Sequence, residues 1–407
     1  MSFDIVIIGA GPAGLCFARS LAGSGLRIAL VERQKEAALI APAEDGREIA
    51  ITHHSKRLLR ELGLWTRLRE EEIGTLRDAM VLDGDDHDGL MFRHDEAGRE
   101  QLGWLLSNHA IRRAAYEEVM TLPEVERITG ARVEAVRTGP DGAEVALGNG
   151  DTLRASLLVA ADSRFSETRR AMGIGAQMRD FGKTMLVLRM RHQVPHEQVA
   201  WEWFGHGQTL ALLPLHDAHT SSVVLTLAPP AMREMLALDD AALEVAMAER
   251  FGQRLGAMTV AGPRCTYPLV GVYAKRFVAE RFALLGDAAV GMHPVTAHGF
   301  NFGLLGQDLL ARELRAAHAV GQSIAAPALL VRYERRLRLA TRPLYLATNA
   351  LAGLYTDDHR PARALRKLAL GAGARLRPFR RLVMSGLTAE HGGVPAPLRR
   401  LRPRIPA

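Results

Sequence analysis

The residues with the clearest chemical meaning lie near the start of the chain, where three glycines follow a G-x-G-x-x-G spacing. The segment is Gly9, Ala10, Gly11, Pro12, Ala13 and Gly14. In this pattern the first glycine permits a tight turn, the second lets the backbone approach a pyrophosphate, and the third lets the following helix pack closely on the strand. The spacing therefore predicts a turn that binds the phosphates of a dinucleotide.

Such a turn requires a strand before it and a helix after it, and the sequence supplies both. Residues 4–8 are an apolar, β-branched run, residues 15–22 place apolar side chains at helical spacing, and residues 28–31 form a second apolar run closed by Glu32. The N–H groups at the helix start favour phosphate. Glu32 can accept hydrogen bonds from ribose hydroxyls, and its charge disfavours the 2′-phosphate of NADP. We count Arg33, which follows this acid, among the predicted cofactor contacts.

A second segment with chemical meaning lies far downstream. Residues 281–285 read as a buried strand that runs into Gly286-Asp287, and His293-Pro294 and Gly299 precede a long helical pattern from about Phe300. With the glycine turn, this segment resembles the FAD-dependent aromatic hydroxylases, the single-component flavin monooxygenases that include para-hydroxybenzoate hydroxylase. The resemblance covers roughly residues 3–355.

The resemblance implies a set of further FAD contacts. It assigns the ribityl chain to Asp287 and a middle motif to Asp162, where Ser163 replaces the glycine that is usual in the family. It also implies that Arg47 approaches the flavin and that Arg113 reaches the adenosine part; for either arginine alone, a surface salt bridge is the alternative. The remaining implied contacts are Gly286, Pro294, Gly299, Phe300 and Asn301. The helix that starts near Phe300 would direct its N-terminus at the pyrimidine edge of the flavin, where its dipole favours negative charge.

The sequence contains no Ser-His-Asp, metal-binding or paired-carboxylate motif, and the resemblance implies that the cofactor supplies the chemistry. NAD(P)H would reduce FAD, O₂ would add to give a flavin hydroperoxide, and a hydroxyl would pass to an electron-rich aromatic ring. A second G-x-G-x-x-G is absent, so NAD(P)H is expected to bind transiently. His293 is the candidate for hydrogen bonding or deprotonating a substrate hydroxyl, with a purely structural role as the alternative.

Residues 293–303 are similar to the ubiquinone-biosynthesis hydroxylases, in particular the branch that acts on demethoxyubiquinol, with Ala297-His298 where Gly-Gln is usual. This similarity implies a prenylated phenol or quinol as substrate. Two alternatives remain: a hydroxylase of a small soluble phenol, and a non-catalytic FAD-holding subunit of a quinone-biosynthesis complex.

Composition and strand-like runs indicate the architecture. The chain has 407 residues, 48% apolar and 24% charged, which is typical of a globular protein. We predict an α/β fold with α+β elements, in which a discontinuous Rossmann-like FAD-binding domain comprises residues 1–72, 105–180 and 280–325. An antiparallel-sheet substrate domain comprises residues 73–104 and 181–279, with strands near 184–190, 199–204, 210–213 and 222–227. Residues 326–407 form a helical C-terminal region.

The net charge of +7 is unevenly distributed. From residue 356 onward the chain has 12 basic and 3 acidic residues, a net charge of +9, which leaves −2 for residues 1–355. We predict that this basic amphipathic tail contacts an anionic membrane surface or other quinone-biosynthesis proteins. A nucleic-acid partner is not expected because the body is not basic. The absence of a leader and of a long apolar run predicts a cytoplasmic protein that can lie on the inner face of the membrane.

Overall fold

The computed structural model describes residues 2–84, 89–205, 207–293 and 298–356. Its strands are β1 (Ser2–Ile8), β2 (Ile28–Glu32), β3 (Glu48–Ile51), β4 (Ile73–Leu76), β5 (Asp78–Asp83), β6 (Leu90–Phe92), β7 (Gly103–Ser107), β8 (Val125–Thr129), β9 (Val133–Gly139), β10 (Gly142–Leu147), β11 (Thr152–Ala160), β12 (Ala176–His192), β13 (Val199–Gly205), β14 (Gln208–Pro214), β15 (Thr220–Leu227), β16 (Met258–Val260), β17 (Cys265–Ala274), β18 (Val278–Ala279), β19 (Phe282–Leu284) and β20 (Val290–Gly291). Its α-helices are α1 (Pro12–Ser20), α2 (Glu36–Ile40), α3 (His53–Glu61), α4 (Asn108–Met120), α5 (Glu167–Ala171), α6 (Pro229–Ala237), α7 (Asp240–Arg250), α8 (Gly299–Ala319) and α9 (Pro327–Thr356).

The first sheet is built around parallel strands in the order β19-β11-β1-β2-β8. Its central strands are continuous apolar runs, and Ile5, Ile7 and Leu157 are completely buried, as expected for strands that are covered on both faces. β10 and β9 extend the sheet antiparallel to the first half of β11. This is the dinucleotide-binding sheet that the opening residues predicted.

The second sheet is mainly antiparallel, with strand order β20-β17-β12-β15-β14-β13-β5-β6. It contains all four of the strand-like runs predicted between residues 184 and 227. α6 and α7 pack on one of its faces, where Leu186, Leu225 and Met247 share an apolar cluster. The predicted α/β fold with an additional antiparallel sheet is confirmed.

The strands cross the predicted domain boundaries at several points. β4 lies within the segment 73–104, yet it pairs with β7 in a separate three-stranded sheet of order β3-β7-β4. β12 begins at Ala176, before the expected boundary at residue 181. It continues across that boundary as one strand of the second sheet. β20, from the segment 280–325, also pairs into the second sheet.

The helical C-terminal region is described as far as Thr356, where α9 ends. The predicted basic amphipathic tail lies outside the described residues. None of the helices within the described ranges is both long enough and apolar enough to cross a bilayer.

Candidate functional site

The three glycines of the first turn have different surroundings. A Cβ atom on Gly9, whose φ is +106°, would lie 2.6 Å from the Ala161 carbonyl oxygen, and one on Gly14 would lie 2.0 Å from the Gly9 carbonyl oxygen. A Cβ on Gly11 would meet no atom within 4 Å. Close packing therefore requires Gly9 and Gly14, whereas Gly11 faces open space at the N-terminus of α1 and fits the approach of a pyrophosphate.

Glu32 lies beside this turn, at the end of β2. Its carboxylate accepts hydrogen bonds from the backbone N–H of Ala10 and of Gln34, both at 2.8 Å. The acid is thereby fixed between the glycine turn and the loop after β2, where a ribose that follows the pyrophosphate would lie. The Arg33 side chain next to it is exposed.

The predicted motif around Asp162 and Ser163 lies against the glycine turn. β11 continues into Ala161, whose N–H donates to the Ile8 carbonyl at 2.8 Å, and Asp162 follows directly beneath Gly9. One Asp162 oxygen accepts from the Thr168 N–H at 3.3 Å, while Oδ1 is buried and has no hydrogen-bond partner within the described part of the chain. A buried acceptor of this kind beside a dinucleotide turn fits a bound ligand. Ser163 is not among the described residues with positive φ, so it replaces the family's glycine without backbone strain.

The Gly286-Asp287 turn and α8 approach the glycine turn from the other side. A Cβ on Gly286 would lie 2.8 Å from the Ala13 Cβ, and one on Gly303 would lie 3.6 Å from the same atom. The small residues of the turn, of α1 and of α8 therefore pack against one another. Both the predicted phosphate site and the predicted ribityl contact lie at this junction.

Asp287 faces the start of α8. A Cβ on Gly299 would lie 4.0 Å from Asp287 Oδ1, while Arg164 donates to Asp287 Oδ2 through Nη2 at 2.9 Å and Nε at 3.2 Å. Arg164 also donates to the Val270 carbonyl of β17 at 3.1 Å, so it joins this turn to the second sheet. Arg164 was not among the residues predicted from the sequence, and the available signal was its position two residues after Asp162.

Asn301 positions the first turn of α8. Its side chain accepts from the Thr52 N–H at 3.2 Å and donates to the Ala50 carbonyl at 2.8 Å. The side-chain amide thus holds α8 against the end of β3, so we assign it a positioning role rather than direct contact with a cofactor. Phe300 is partly buried against the main core, and Pro294 lies outside the described residues.

Arg47 lies where the loop before β3 meets the second sheet. Its guanidinium donates to Asp45 at 2.6 and 3.0 Å and stacks 5.3 Å from the ring centre of Tyr267 on β17. Burial alone would raise the pKa of Asp45, but Arg47 and a hydrogen bond from Asn108 hold that pKa below its usual value. The expected alternative, an ion pair, is therefore present, and it fixes the arginine at the interface between the two sheets.

Arg113 and its neighbour Arg112 point in different directions from α4. Arg113 binds the carboxylates of Glu72 and Glu117, at 2.7 and 2.9 Å. Arg112 donates to Gln34 Oε1 at 3.0 Å, next to Glu32. Successive helical residues are rotated by about 100°, so only one of the two can face this edge, and the geometry favours Arg112 over the predicted Arg113.

His293 follows β20 and is partly buried. Its ring packs edge-on against Phe181, with ring centres 4.7 Å apart. Burial, together with the positive charges of Arg164 and Arg179, lowers the pKa of His293 to about 4. The imidazole is therefore neutral at pH 7 and can accept a hydrogen bond, while a pKa of about 4 makes it a weak base.

Fold and site together define a flavin-dependent monooxygenase. The same fold occurs in p-nitrophenol 4-monooxygenase PnpA from Pseudomonas putida, with a TM-score of 0.77 and 19% identity over 95% of this chain and 98% of that one. It also occurs in PqsL from Pseudomonas aeruginosa, with a TM-score of 0.77 and 21% identity over 90% of this chain and 100% of that one.

The chain belongs to the family described as FAD binding domain, which matches residues 2–344. Among its relatives, ubiquinone hydroxylase UbiM of Neisseria meningitidis is 46% identical over 95% of this chain and 84% of that protein. Ubiquinone hydroxylase UbiL of Rhodospirillum rubrum is 36% identical over 94% of this chain and 88% of that protein. The 3-demethoxyubiquinol 3-hydroxylase of Escherichia coli is 27% identical over 91% of this chain and 95% of that protein. The resemblance to ubiquinone-biosynthesis hydroxylases is confirmed.

Proposed function

We propose that this protein hydroxylates the aromatic ring of a prenylated phenol or quinol intermediate in ubiquinone biosynthesis, with FAD as cofactor, NAD(P)H as electron donor and O₂ as co-substrate. The names of the two relatives that are 46% and 36% identical support the substrate class. The ring position stays open, since the demethoxyubiquinol hydroxylase is less similar, at 27%.

The observation that carries the proposal is the meeting of Ala13 on α1, the Gly286-Asp287 turn and the start of α8 close to the second sheet. When bound, FAD supplies the activation of O₂ and the transfer of oxygen to the ring. The open N-terminus of α1 would bind its phosphates, and Glu32 its ribose hydroxyls. The N–H groups in the first turn of α8 would stabilise negative charge on the flavin by roughly 0.3–1 kcal/mol.

The remaining residues would position the substrate and exclude water. The second sheet would cover the site, and this is supported by the contacts of Arg164 with Val270 and of Arg47 with Tyr267 on β17. A dry, enclosed site strengthens each polar contact and prevents side reactions. Neutral His293 is the candidate to accept a hydrogen bond from a phenolic hydroxyl.

The test combines the FAD-loaded protein with NADH or NADPH and a short-chain demethoxyquinol in air. Mass spectrometry of the quinol is expected to show one added oxygen atom. Product from small soluble phenols but from no prenylated substrate would favour the first alternative. Bound FAD that neither nicotinamide reduces would favour the non-catalytic FAD-holding subunit.

We further propose that the basic tail brings the enzyme to its lipid substrate. The tail carries a net charge of +9, which an anionic membrane surface attracts at about 1 kcal/mol per basic residue near the lipid. Docking on another quinone-biosynthesis protein is the alternative.

A further inference from the structure

Strand β13 carries an acidic residue, Glu202, between two tryptophans in the middle of the second sheet. Side chains alternate between the faces of a strand. Trp201 and Trp203 pack with the apolar cluster beneath α6 and α7. Glu202 therefore projects from the opposite face of the sheet.

That opposite face is the one that meets the cofactor-binding part. The register places Glu202 in a row across the sheet with Ala211 on β14, Val224 on β15 and Val187 on β12. A Cβ on Gly46, next to Arg47, would lie 3.3 Å from the Val187 carbonyl oxygen and 3.4 Å from its Cγ1. Three strand spacings, about 14 Å, separate Glu202 from this contact.

The middle of this face is incompletely covered. On the α6 and α7 side, Leu210, Leu212 and Val223 are buried, whereas Glu202 and its neighbours in the row Ala211 and Val224 retain accessible surface. Two apolar clusters lie beside Glu202 and Ala211, and the first of them contains the other two members of the row, Val224 and Val187. One is centred on Met185, Val187 and Leu269; the other, centred on Leu76 and Leu105, includes Ala200 and Leu213.

Glu202 and Ala211 are not among the residues of either cluster. Ala50, which packs on the second cluster, accepts a hydrogen bond from Asn301 at the start of α8. The row around Glu202 thus lies on the face of the second sheet whose apolar clusters meet β3 and, through Asn301, the start of α8.

The chemistry of Glu202 suits a ligand with ring oxygens. Its carboxyl makes no hydrogen bond or ion pair with the residues that the structure describes. Burial raises the pKa of Glu202 to about 8. On the same face, the charged residues of β5 and β12 are Asp83, Arg189, which binds Glu48, and the exposed Arg191 further along β12.

At neutral pH the group is therefore a carboxylic acid that can both donate and accept a hydrogen bond. A carboxylic acid that makes no hydrogen bond to the protein is available to pair with a bound ligand. A phenol or quinol ring offers both a hydroxyl donor and oxygen acceptors, and can supply the missing partner.

We propose that Glu202 binds an oxygen substituent of the substrate ring and so determines which ring carbon is presented for hydroxylation. This inference rests on the proposed function and adds to it the residue that orients the ring. Glu202 would act as a specificity-determining residue, while the flanking apolar clusters would accept the prenyl chain.

The test compares three FAD-loaded variants with the native enzyme. Glu202→Gln keeps a donor and an acceptor, Glu202→Leu removes both, and Glu249→Leu is the matched control because Glu249 is an exposed carboxylate on α7, on the other side of the sheet. The measured quantities are the dissociation constant of a short-chain quinone, the share of NAD(P)H that yields product rather than peroxide, and the ring position of the added oxygen.

We expect Glu202→Leu to raise the dissociation constant about 10-fold, as for the loss of one buried hydrogen-bonded anchor, and to divert electrons to peroxide or give a second regioisomer. Glu202→Gln should stay within about 3-fold of the native enzyme, and Glu249→Leu should match it. Native binding should weaken above about pH 8 as Glu202 ionises, and binding by Glu202→Gln should not.

A folded Glu202→Leu enzyme with native affinity, coupling and ring position would overturn the inference while leaving the proposed function intact. If that variant does not fold, the pH series decides, and an identical weakening in the native and Glu202→Gln enzymes would also overturn it. A native enzyme that hydroxylates no phenol or quinol would instead refute the proposed function.

Discussion

At the scale of single residues, the structure separates side chains that shape the site from those that would contact a ligand. Gly9 and Gly14 are required by neighbouring backbone, and Gly11 is not. Likewise, the oxygen and the NH₂ group of the Asn301 amide both form hydrogen bonds within the protein. Oδ1 of Asp162, in contrast, is buried and has no hydrogen-bond partner among the described residues. Substitutions at these positions should therefore affect stability and cofactor affinity differently.

The first prediction compares Gly11→Ala with Gly14→Ala. The Gly14 Cβ would collide with backbone, so this variant should lose about 1–3 kcal/mol or more of unfolding free energy even without FAD. Gly11→Ala should retain the melting temperature of the FAD-free protein and bind FAD at least about 10-fold more weakly. Thermal melting and FAD titration test the pair, and equal melting temperatures for both FAD-free variants would contradict the packing argument.

The second prediction concerns acid sensitivity. The pKa of His293 is about 4, below the 6.5 of an unfolded histidine, so the unfolded state binds more protons between these values. The stability from this group is fully present above about pH 6.5 and is lost as the pH falls toward 4. The melting temperature of the His293→Leu variant should therefore fall less between pH 7 and pH 5 than that of the native protein. The exposed His318 provides the control, and His318→Leu should retain the native loss.

At the scale of elements, two contacts join β3 of the three-stranded sheet to the rest of the molecule, one from α8 and one from β12 of the second sheet. Asn301 fixes the start of α8 against β3, and Arg189 of β12 donates to Glu48 of β3 at 3.0 Å. The Glu48 side chain is 2% exposed, and burial raises its pKa to about 7 although Arg189 opposes this shift. β3 is thus held in place by two side chains from segments distant in sequence, Asn301 and Arg189.

The third prediction is that Asn301→Leu weakens both folding and FAD binding. The change leaves the Thr52 N–H and the Ala50 carbonyl without their partner, which should cost about 2–4 kcal/mol of unfolding free energy. FAD affinity should also fall, because the first turn of α8 would no longer be held in place. Urea unfolding and FAD titration measure the two effects. Asn149→Leu, in an exposed turn, is the control, and an Asn301→Leu protein with native values would contradict the assigned role.

The fourth prediction is a double-mutant cycle on Arg189 and Glu48. Arg189→Met alone leaves a buried carboxyl without its cation and should cost about 3–5 kcal/mol of unfolding free energy. The double variant Arg189→Met with Glu48→Gln should regain at least half of that loss, since no buried charge remains. Additive effects in urea unfolding would show that the pair is not coupled.

At the scale of the whole molecule, charge is divided between a nearly neutral body and a basic tail. Residues 1–355 carry a net charge of −2, and the residues from 356 carry +9. The net charge of +7 therefore says little about the catalytic part. It describes the tail, whose partner can be tested apart from catalysis.

The fifth prediction is that deleting residues 357–407 weakens sedimentation with phosphatidylglycerol vesicles at low salt and leaves FAD content unchanged. About 0.5 M salt should abolish binding of the full chain, because the Debye length then falls below about 5 Å. Vesicles of phosphatidylcholine alone are the control. Equal sedimentation of both proteins with anionic vesicles would refute membrane docking by the tail.

The sequence by itself determined the cofactor class, because the glycine turn, Glu32 and Gly286-Asp287 act through short-range backbone geometry that a local pattern records. The apolar, β-branched runs likewise predicted several strands of each of the two large sheets. Which strands pair was decided only in the folded chain, so β4 pairs in the three-stranded sheet and β12 crosses a predicted boundary. The same is true of Arg164 and Arg112: an arginine's partner depends on segments distant in sequence, and such contacts leave no local pattern. The face to which Glu202 belongs was decided by the packing of Trp201 and Trp203 under α6 and α7, since burial of one face of a strand determines the direction of every second side chain.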